Sequence, residues 1–549
     1  MQARDRIKIC AFICAAPALI IAARLFYLQT FRHMELADKT ESRVYTQTTE
    51  NTLRGRILDR NGVVLAESLP TYAVAVSKRN VNNRAALFAA FTGALGVSRQ
   101  ELNKLWQDKR NFFYVKKNVT PPEYEDLEKR VRAGRVTGVE VEPQYTRIYP
   151  FDNVAQDVLG ATNSRNKGLS GIELMYNKIL SQEQQSRRVK RARGGGIIYD
   201  NSHPGPAQTP DVYLTIDATG QYYTESILKK YALQHKVKSA FALVQESNTG
   251  EILAAASYPA RDGRALPFQF SYEPGSTFKS IVVAAALDTG SIKVSDSIGM
   301  DDNKWAVDGI IIRDHQEKPK LSIGEILEVS SNIGTAKIAH ALGARTMYSY
   351  AKKFGFGVKS NVAFLGEPGG ILRDYPRWRP IDTAKAGYGY TISVTGVQLV
   401  GAYSAIANGG NLMQAHLIDK IVYPGGRETK LARPLKIRRV IEENTARQTA
   451  SLLENVVEKG TGQNARVKGY RMAGKTGTSE KMSQEGRYER SLHIASFCGF
   501  APAGAPRFTI LVVLDEPERA LFGAAAAAIF SEIAAKFLNI YSVPANKEI

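Results

Sequence analysis

The stretch Ser271-Tyr-Glu-Pro-Gly-Ser-Thr-Phe-Lys-Ser280 decides how the rest of the chain is interpreted. Its Pro-Gly pair ends the preceding structure, and the apolar run 281–287 predicts a helix directly afterwards. Ser276 then lies at the start of a helix and shares a helix face with Lys279. A serine hydroxyl becomes a good nucleophile when a base takes its proton, and a lysine with a lowered pKa can be that base. The spacing predicts Ser276 as nucleophile and Lys279 as base, against the plainer alternative of a polar helix start with a solvated lysine.

A second polar pair lies in Leu327-Glu-Val-Ser-Ser-Asn-Ile-Gly-Thr-Ala-Lys-Ile-Ala339. Ser330 and Asn332 form a Ser-x-Asn pattern at the turn into a predicted amphipathic helix. A hydroxyl and an amide at this point can relay a proton and hold a substrate amide, which the first motif needs and cannot supply. The alternative is a plain helix cap, because Ser and Asn are preferred there, and the same residues can serve both purposes.

The third stretch is Met-Ala-Gly-Lys-Thr-Gly-Thr, which ends at Thr478. As an edge strand beside a cleft it would expose Lys475 and Thr478, while Gly477 would let another backbone approach closely. The charge of Lys475 and the hydroxyls of Thr476 and Thr478 form a receptor for a substrate carboxylate. The backbone N–H groups of Thr478 and Ser276 are expected to form an oxyanion hole.

The segment Gly469-Tyr-Arg-Met-Ala-Gly-Lys-Thr476 also matches the pattern of a nucleotide-binding phosphate loop. That loop requires a helix directly after it, whereas residues 469–475 predict a strand and the residues that follow predict a polar loop. The phosphate-loop interpretation is therefore rejected.

Composition and charge indicate a globular protein with an anionic partner. The 549 residues are 44% hydrophobic and 23% charged, enough for about two to four domains. With 73 basic and 53 acidic residues, the formal charge is +20, which suits nucleic acid, an acidic polymer or lipid headgroups. Three cysteines predict no disulfide framework, and seven scattered histidines show no metal-binding spacing. We expect neither a metal nor a cofactor.

The N-terminal segment predicts a membrane anchor. Residues 9–23 carry no charge, and the apolar segment continues past Arg24 to Leu28. We predict a cytoplasmic tail at 1–8 and a transmembrane helix at 9–29, because basic residues precede the apolar segment. The alternative is a cleaved signal peptide, for which no convincing cleavage site is present. An exterior location for the rest of the chain removes nucleic acid as a partner.

Two domains are predicted after the anchor. Residues 30–211 contain an Asn61-Gly62 hairpin signal, a charged region at 84–135 that predicts helices, and a strand around Tyr145–Pro150. The basic run 186–193 is interpreted as a solvated hairpin or linker, with contact to lipid headgroups or an acidic polymer as the alternative. Residues 212–549 predict an α+β domain with one antiparallel sheet, helices packed on it and a helical subdomain at 322–410. Its predicted strands are 239–245, 251–256, 469–475, 492–500 and 507–514, followed by a terminal helix at 522–538.

The three motifs Ser-x-x-Lys, Ser-x-Asn and Lys-Thr-Gly, in this order and spacing, resemble those of penicillin-binding proteins and class A β-lactamases. Upstream, three segments resemble the monofunctional class B penicillin-binding proteins: Arg54-Gly-Arg-Ile-Leu-Asp-Arg-Asn-Gly62, Arg147-Ile-Tyr-Pro150 and Gly168-Leu-Ser-Gly-Ile-Glu173. Within that class, the septal FtsI-type members are most similar at Tyr272-Glu-Pro-Gly-Ser276 and Asp515-Glu-Pro517. The resemblance implies a serine β-lactamase-like transpeptidase domain on an elongated N-terminal pedestal domain.

The same resemblance implies a serine D,D-transpeptidase that cross-links peptidoglycan stem peptides ending in D-Ala-D-Ala and that β-lactam antibiotics acylate. In such an enzyme Lys475, Thr476 and Thr478 hold the terminal carboxylate. Ser330 passes a proton to the leaving D-alanine, and Asn332 orients the base and the substrate amide. The resemblance further implies a single-pass protein of the cytoplasmic membrane at the division septum, with an FtsW-like glycosyltransferase and other division proteins as partners.

Four alternatives remain open. An elongation-type transpeptidase with a RodA-like partner would have the same motifs. A β-lactamase needs neither an anchor nor a large N-terminal half, and no deacylation base is assignable. A β-lactam-sensing receptor would carry an intracellular output domain, and a scaffold with a vestigial site would not keep three intact motifs.

Overall fold

The computed structural model describes residues 3–30, 32, 45–49, 53–152, 154–164, 166–181, 186–191, 197–198, 209–260, 264–314, 316–431, 433–482, 488–518 and 522–547. The chain divides into two compact units. The first comprises residues 1–53, 69–146 and 182–207, and the second comprises residues 54–68, 147–181 and 208–549.

The α-helices are Ala3–Thr30, Arg84–Leu95, Arg99–Gln107, Pro121–Ala133, Gln156–Leu159, Gly171–Met175, Asn177–Leu180, Ala218–Gln234, Leu266–Gln269, Lys279–Asp288, Ile323–Glu328, Asn332–Lys353, Pro380–Ala386, Gly396–Ala407, Glu443–Glu458 and Phe522–Ile540. The strands are Tyr45–Thr49, Ile57–Leu58, Val64–Ser77, Phe112–Val119, Val139–Ile148, Ser186–Arg191, Ile197–Ile198, Asp211–Leu214, Ser239–Glu246, Ile252–Tyr258, Ser271–Tyr272, Ser297–Gly299, Lys304–Val307, Ile310–Arg313, Lys320–Ser322, Val394–Thr395, Asn411–Met413, Ile418–Val422, Glu428–Lys430, Lys436–Arg439, Ala473–Met482, Tyr488–Ala501 and Phe508–Asp515.

A strand in the first unit shows that the prediction of helices throughout residues 84–135 is wrong in part. Three helices do form there, but Phe112–Val119 is a strand that pairs antiparallel with Val64–Ser77. The aromatic and β-branched residues at the start of this segment favour a strand, because Phe113 packs into a hydrophobic cluster with Leu87 and Phe91. The charges nearby had hidden that pattern.

The described part of the basic run, residues 186–191, is a strand, which agrees with the hairpin interpretation rather than the linker. Ser186–Arg191 forms a strand that pairs antiparallel with Tyr45–Thr49 on one side and Ile197–Ile198 on the other. Residues 192–196, which include the end of the basic run, lie outside the described residues.

The second unit contains the predicted antiparallel sheet. Five strands run in the order Ile252–Tyr258, Ser239–Glu246, Phe508–Asp515, Tyr488–Ala501 and Ala473–Met482, and every neighbouring pair is antiparallel. All eight residues of Phe508–Asp515 are buried, which explains its nearly continuous run of apolar residues.

Helices cover both faces of this sheet. On one face, helices Ala218–Gln234 and Phe522–Ile540 pack around residues such as Leu228, Ile529 and Phe530. On the other face, Lys279–Asp288 and Gly396–Ala407 belong to the larger hydrophobic cluster. The α+β fold with a helical subdomain on one antiparallel sheet is therefore confirmed.

A second sheet joins early and late parts of the second unit. Asp211–Leu214 pairs parallel with Ile57–Leu58 and antiparallel with Ile418–Val422. The Asn-Gly hairpin is confirmed, because Ile57–Leu58 also pairs antiparallel with the start of Val64–Ser77 and Gly62 has a φ of 86°.

The three upstream motifs meet at a buried ion pair network in the second unit. Glu173, which is fully buried, accepts hydrogen bonds from Arg54 Nε at 2.5 Å and from Arg147 Nε at 2.7 Å. Arg54 also donates to Asn177 Oδ1, and Arg147 donates to the carbonyl of Gly55 at 2.8 Å. Buried charges require such pairing. Because the network holds Arg54 and the carbonyl of Gly55, it also positions the strand Ile57–Leu58 that follows them.

Among the described residues, one helix is long and apolar enough to cross a membrane, Gly523–Ile540, and 56% of that span is buried inside the protein. It packs against the five-stranded sheet, so it is a core helix. The predicted anchor at 9–29 lies within the helix Ala3–Thr30, in which Ala15–Thr30 forms a shorter apolar segment. The domain boundaries at 29/30 and 211/212 stay predictions.

Candidate active site

Ser276 lies in a single turn of 3₁₀ helix, Gly275–Phe278, that leads directly into the helix Lys279–Asp288. Gly275 has a φ of 53°, and a Cβ atom on it would lie 2.4 Å from the carbonyl oxygen of Thr478. Only glycine therefore permits this contact. The turn is pressed against the strand Ala473–Met482, called the edge strand below because, among the described residues, it pairs on one side only.

A buried tyrosine secures the serine turn from behind. Tyr403 is fully buried and donates a hydrogen bond to the carbonyl of Thr277 at 2.7 Å, while Ser280 Oγ lies 2.9 Å from the same hydroxyl. Sequence analysis missed this role of Tyr403, because the residue is 127 positions from Ser276 in the chain and no local pattern connects them.

Lys279 points its amine at the Ser-x-Asn motif. It donates to the carbonyl of Ser330 at 2.5 Å, to Asn332 Oδ1 at 2.8 Å and to Ser330 Oγ at 3.3 Å. The side chain is fully buried, and burial holds the pKa of Lys279 well below its usual range. The positive charge of Lys475 lowers this pKa further, and the carboxylate of Asp314 opposes both effects.

The Ser-x-Asn motif is held by its middle residue and by Asp314. Ser331 caps the helix Asn332–Lys353, since its hydroxyl accepts from the N–H of Gly334 at 2.8 Å. Asp314 accepts hydrogen bonds from the Ser331 hydroxyl and from the N–H of Asn332, the latter at 2.5 Å. The helix-cap alternative is thus true of Ser331, while Ser330 adopts a left-handed φ of 59°. Such a conformation is strained for serine and persists because the surroundings fix it.

Sequence analysis missed Asp314. The available signal was the Asp308-Gly309 turn of the hairpin Lys304–Val307 and Ile310–Arg313, which ends at this aspartate. No local pattern indicates that the hairpin returns to the Ser-x-Asn motif 16 to 18 positions later.

The edge strand buries its lysine, which corrects the prediction that Lys475 is exposed. Lys475 is fully buried and donates to the carbonyl and the hydroxyl of Thr476, both at 3.3 Å. Burial lowers the pKa of Lys475 to about 7. The strand also continues to Met482, where the sequence predicted a polar loop. Among the described residues the next element is the strand Tyr488–Ala501, whereas a phosphate loop would require a helix directly after Thr476.

The remaining two residues of this motif face the serine turn. A Cβ atom on Gly477 would lie 2.2 Å from Ser496 Oγ and 2.8 Å from Thr277 Cγ2, so a larger residue does not fit. Thr478 is half-buried, and its carbonyl faces Gly275 rather than the neighbouring strand.

The outward N–H of Thr478 follows from the register of the sheet. In an antiparallel pair, the N–H and C=O of one residue face the same side, and residues of the same parity alternate together. Thr478 and Glu480 oppose Ala495 and His493, and the Glu480 N–H donates outward to the hydroxyl of Tyr390 at 3.1 Å. The N–H of Thr478 therefore also faces away from the sheet, as an oxyanion hole requires.

The structure thus brings together all three predicted segments. Lys279 contacts Ser330 and Asn332, and the residues on either side of Ser276 contact Gly477 and Thr478. No group of three or more His, Cys, Asp or Glu side chains within the described part of the chain is arranged to hold a metal ion. Cys498 is buried and carries no disulfide.

An antiparallel sheet whose edge strand faces a Ser-x-x-Lys turn and a Ser-x-Asn loop defines the class of penicillin-recognising active-site-serine proteins. Comparison with known families agrees with this class. Residues 240–535 match the penicillin binding protein transpeptidase domain, and residues 49–214 match the penicillin-binding protein dimerisation domain. The chain belongs to the class B penicillin-binding proteins.

Two relatives and one solved structure illustrate the similarity. The probable peptidoglycan D,D-transpeptidase PenA of Neisseria meningitidis is 32% identical over 562 residues, which cover 98% of this chain and 94% of PenA. The peptidoglycan D,D-transpeptidase FtsI of Escherichia coli is 28% identical over 556 residues, with 97% and 91% covered. The crystal structure of a peptidoglycan synthetase from Bifidobacterium adolescentis superimposes with a TM-score of 0.71 at 26% identity and covers 92% of this chain and 98% of that one.

Proposed function

We propose that this protein is a peptidoglycan D,D-transpeptidase that forms an acyl-enzyme on Ser276 during septal cell-wall synthesis. The observation that carries the proposal is the buried amine of Lys279, hydrogen-bonded to the Ser-x-Asn motif in a site where the edge strand meets the serine turn. The names of the PenA and FtsI relatives support the reaction and the substrate.

In the first step, Lys475, Thr476 and Thr478 hold the C-terminal carboxylate of a stem peptide. Burial and the positive charge of Lys475 lower the pKa of Lys279, which favours the neutral amine, and this amine takes the proton of Ser276. The Ser276 oxygen attacks the carbonyl of the penultimate D-alanine, and the N–H groups of Ser276 and Thr478 stabilise the negative oxygen that results.

The second half of the reaction releases one amine and consumes another. The proton now on Lys279 passes through Ser330 to the terminal D-alanine, which leaves with a new N–H bond as the acyl-enzyme forms. Asn332 holds the lysine and the substrate amide in place. An amine of a neighbouring stem then attacks the ester carbonyl and loses a proton to Lys279. The bond between the carbonyl carbon and the Ser276 oxygen breaks as Lys279 returns that proton to the oxygen, so the cross-link forms and the serine hydroxyl is restored.

A fluorescent penicillin tests this assignment, because β-lactams mimic the terminal dipeptide and would acylate the same serine. The wild-type protein is expected to become covalently labelled, and Ser276→Ala is expected to remain unlabelled. The nearby hydroxyl of Tyr403 is not expected to react with penicillin in place of Ser276, because this tyrosine is fully buried. Labelling of Ser276→Ala at the wild-type rate would contradict the assignment.

The location and the partners also belong to this proposal. Residues 9–29, within the helix Ala3–Thr30, would anchor the chain in the cytoplasmic membrane with residues 1–8 in the cytoplasm, and an FtsW-like glycosyltransferase would supply the polymer. Depletion of the protein in its cells distinguishes the roles: filaments support the septal role, and spherical cells support an elongation role with a RodA-like partner.

A further inference from the structure

A short basic strand lies in the second unit, away from the active site. Lys436–Arg439 is exposed at all four residues and pairs antiparallel with Asn411–Met413. Arg438 Nη1 donates to the carbonyl of Lys352 at 3.1 Å, at the end of the helix Asn332–Lys353. Because that helix begins in the Ser-x-Asn motif, the strand and the active site lie at its opposite ends. The strand is therefore not part of the catalytic cleft.

One side of this strand is open. On the paired side, the carbonyl of Leu435 accepts from the N–H of Gln414 at 2.8 Å, and the N–H of Val440 donates to the carbonyl of Gly410 at 2.8 Å. No other segment among the described residues pairs with Lys436–Arg439. The outer side therefore presents backbone N–H and C=O groups, to which an extended peptide can add a further strand.

The charge around the open side is uniformly positive. The segment 430–439 contains no acidic residue and five basic ones: Lys430, Arg433, Lys436, Arg438 and Arg439. The first three are exposed, and no acidic side chain in the described part of the chain pairs with them. Basic side chains on an open strand repel a second copy of the same strand, so these charges disfavour self-association. They favour an acidic partner instead.

Three exposed apolar side chains lie between these cations. Leu431, Leu435 and Ile437 are 48%, 58% and 40% exposed. An extended peptide directs alternate side chains to opposite faces, so a peptide that alternates acidic and apolar residues can contact both the cations and the apolar side chains. Anionic lipid headgroups would neutralise the cations but would not pair with the open backbone. The open strand therefore favours a peptide over a lipid surface.

A cavity of about 680 Å³ lies at the Arg439 end of the strand. Its lining includes two ion pairs, Arg447 with Glu443 at 3.2 Å and Arg507 with Glu246 at 3.5 Å. Arg439, which also lines the cavity, is left with the exposed Glu442 at 4.0 Å. The cavity can therefore take an acidic side chain of the added segment and fix the position of that segment along the strand.

We propose that the basic surface, defined as residues 430–439 with the adjoining cavity, is a docking site for an extended acidic segment of a partner protein. The segment adds a strand to the open side of Lys436–Arg439. Its acidic side chains pair with the cations that lack a partner, and its apolar side chains cover the exposed leucines and isoleucine. This docking does not depend on the chemistry at Ser276.

The probe is a short fluorescent peptide that alternates valine and glutamate, and the protein is the full chain in phosphatidylcholine nanodiscs. Fluorescence anisotropy should show saturable binding, and a matching peptide of valine and lysine should not bind. The double variant Arg433→Glu/Lys436→Glu should weaken binding about tenfold, because attraction becomes repulsion at two exposed positions. Lys129→Glu/Lys293→Glu changes the net charge equally at exposed positions elsewhere and should bind like the wild type. Thermal unfolding checks that both variants are folded.

Hydrogen exchange tests the added strand directly. Amides of Lys436–Arg439 that face the open side should exchange about tenfold more slowly with the peptide bound. Val440 is the internal reference, since its N–H is already bonded to Gly410. The absence of saturable binding, an equal loss in the control variant, or binding without slower exchange overturns the inference. Slower exchange with phosphatidylglycerol vesicles and not with the peptide would assign the surface to lipid and overturn it as well.

Discussion

Lys279→Met tests whether the buried amine is the base. Methionine has a similar length and no proton to exchange, so the substitution removes the base and keeps most of the packing. General acid–base catalysis contributes about 10² to 10⁴-fold, which corresponds to about 3 to 5 kcal/mol of activation free energy at 1.36 kcal/mol per tenfold change. We expect the second-order rate constant for penicillin acylation to fall by about that factor.

The free energy of unfolding should change much less than the rate. The variant leaves the carbonyl of Ser330 and the amide oxygen of Asn332 without the donor they share, at a cost of about 1 to 3 kcal/mol each. It also relieves the desolvation of a buried amine, which burial already disfavours as a cation. These effects oppose each other, so we expect a net change of about 2 kcal/mol or less.

The assay is a time course of fluorescent-penicillin labelling under pseudo-first-order conditions, with thermal unfolding measured on the same samples. Lys353→Met is the matched control, because that lysine is exposed at the end of the helix Asn332–Lys353. It should label at the wild-type rate. A Lys279→Met protein that is folded and labels within threefold of the wild type would refute the role of lysine as base.

Three further predictions concern single charged side chains, two at the active site and one in the ion-pair network of Arg54, Arg147 and Glu173. Asp314→Asn should slow acylation about tenfold, because the charge-assisted hydrogen bonds from Asp314 to the start of the helix Asn332–Lys353 weaken. It should also move the acid limb of the pH–rate profile to lower pH, since the Asp314 carboxylate raises the pKa of Lys279. An acid limb that does not move would contradict this effect of Asp314 on Lys279. Burial lowers the pKa of Lys475 to about 7, so between pH 7 and about 10.5 this lysine is protonated in the unfolded chain and neutral in the folded protein, and the folded protein gains stability as pH rises. Lys475→Met should therefore show a smaller gain in Tm from pH 7 to pH 9 than the wild type. An equal gain would contradict the lowered pKa of Lys475. Glu173→Gln should lower the free energy of unfolding in urea by about 3 to 5 kcal/mol, because it leaves the buried Arg54 and Arg147 without their carboxylate. A loss below about 1 kcal/mol would contradict the importance of this ion pair.

The sequence was sufficient where chemistry and local structure coincide. Ser276 and Lys279 share one turn, so their relation follows from spacing alone, and the apolar runs of the sheet strands identified most of the sheet. The Asn-Gly hairpin was equally local. In each case the residues that carry the signal lie within a few positions of one another.

The features that sequence analysis missed depend on long-range contacts. The burial of Lys475 depends on the strands and helices that cover it, and no pattern within its own motif encodes them. Asp314 and Tyr390 reach the site from other segments. Asp314 accepts hydrogen bonds from the Ser331 hydroxyl and the Asn332 N–H, and the Tyr390 hydroxyl accepts one from the N–H of Glu480. The charges of residues 84–135 favour helix, but Phe112–Val119 forms a strand because its aromatic and β-branched residues pack against the neighbouring strand and helices.

The hydrogen bond between the hydroxyls of Thr71 and Thr146, at 2.8 Å, has a consequence for the genetics of this protein. Thr71 and Thr146 lie near the start and at the end of the segment 69–146, so the two ends of this segment are close together in space. Topologically it is an insertion, and such modules tolerate excision when a short linker joins the cut ends. A variant in which a few glycines replace residues 72–145 should therefore keep the ion pairs of Glu173 with Arg54 and Arg147, and it should still be acylated by penicillin.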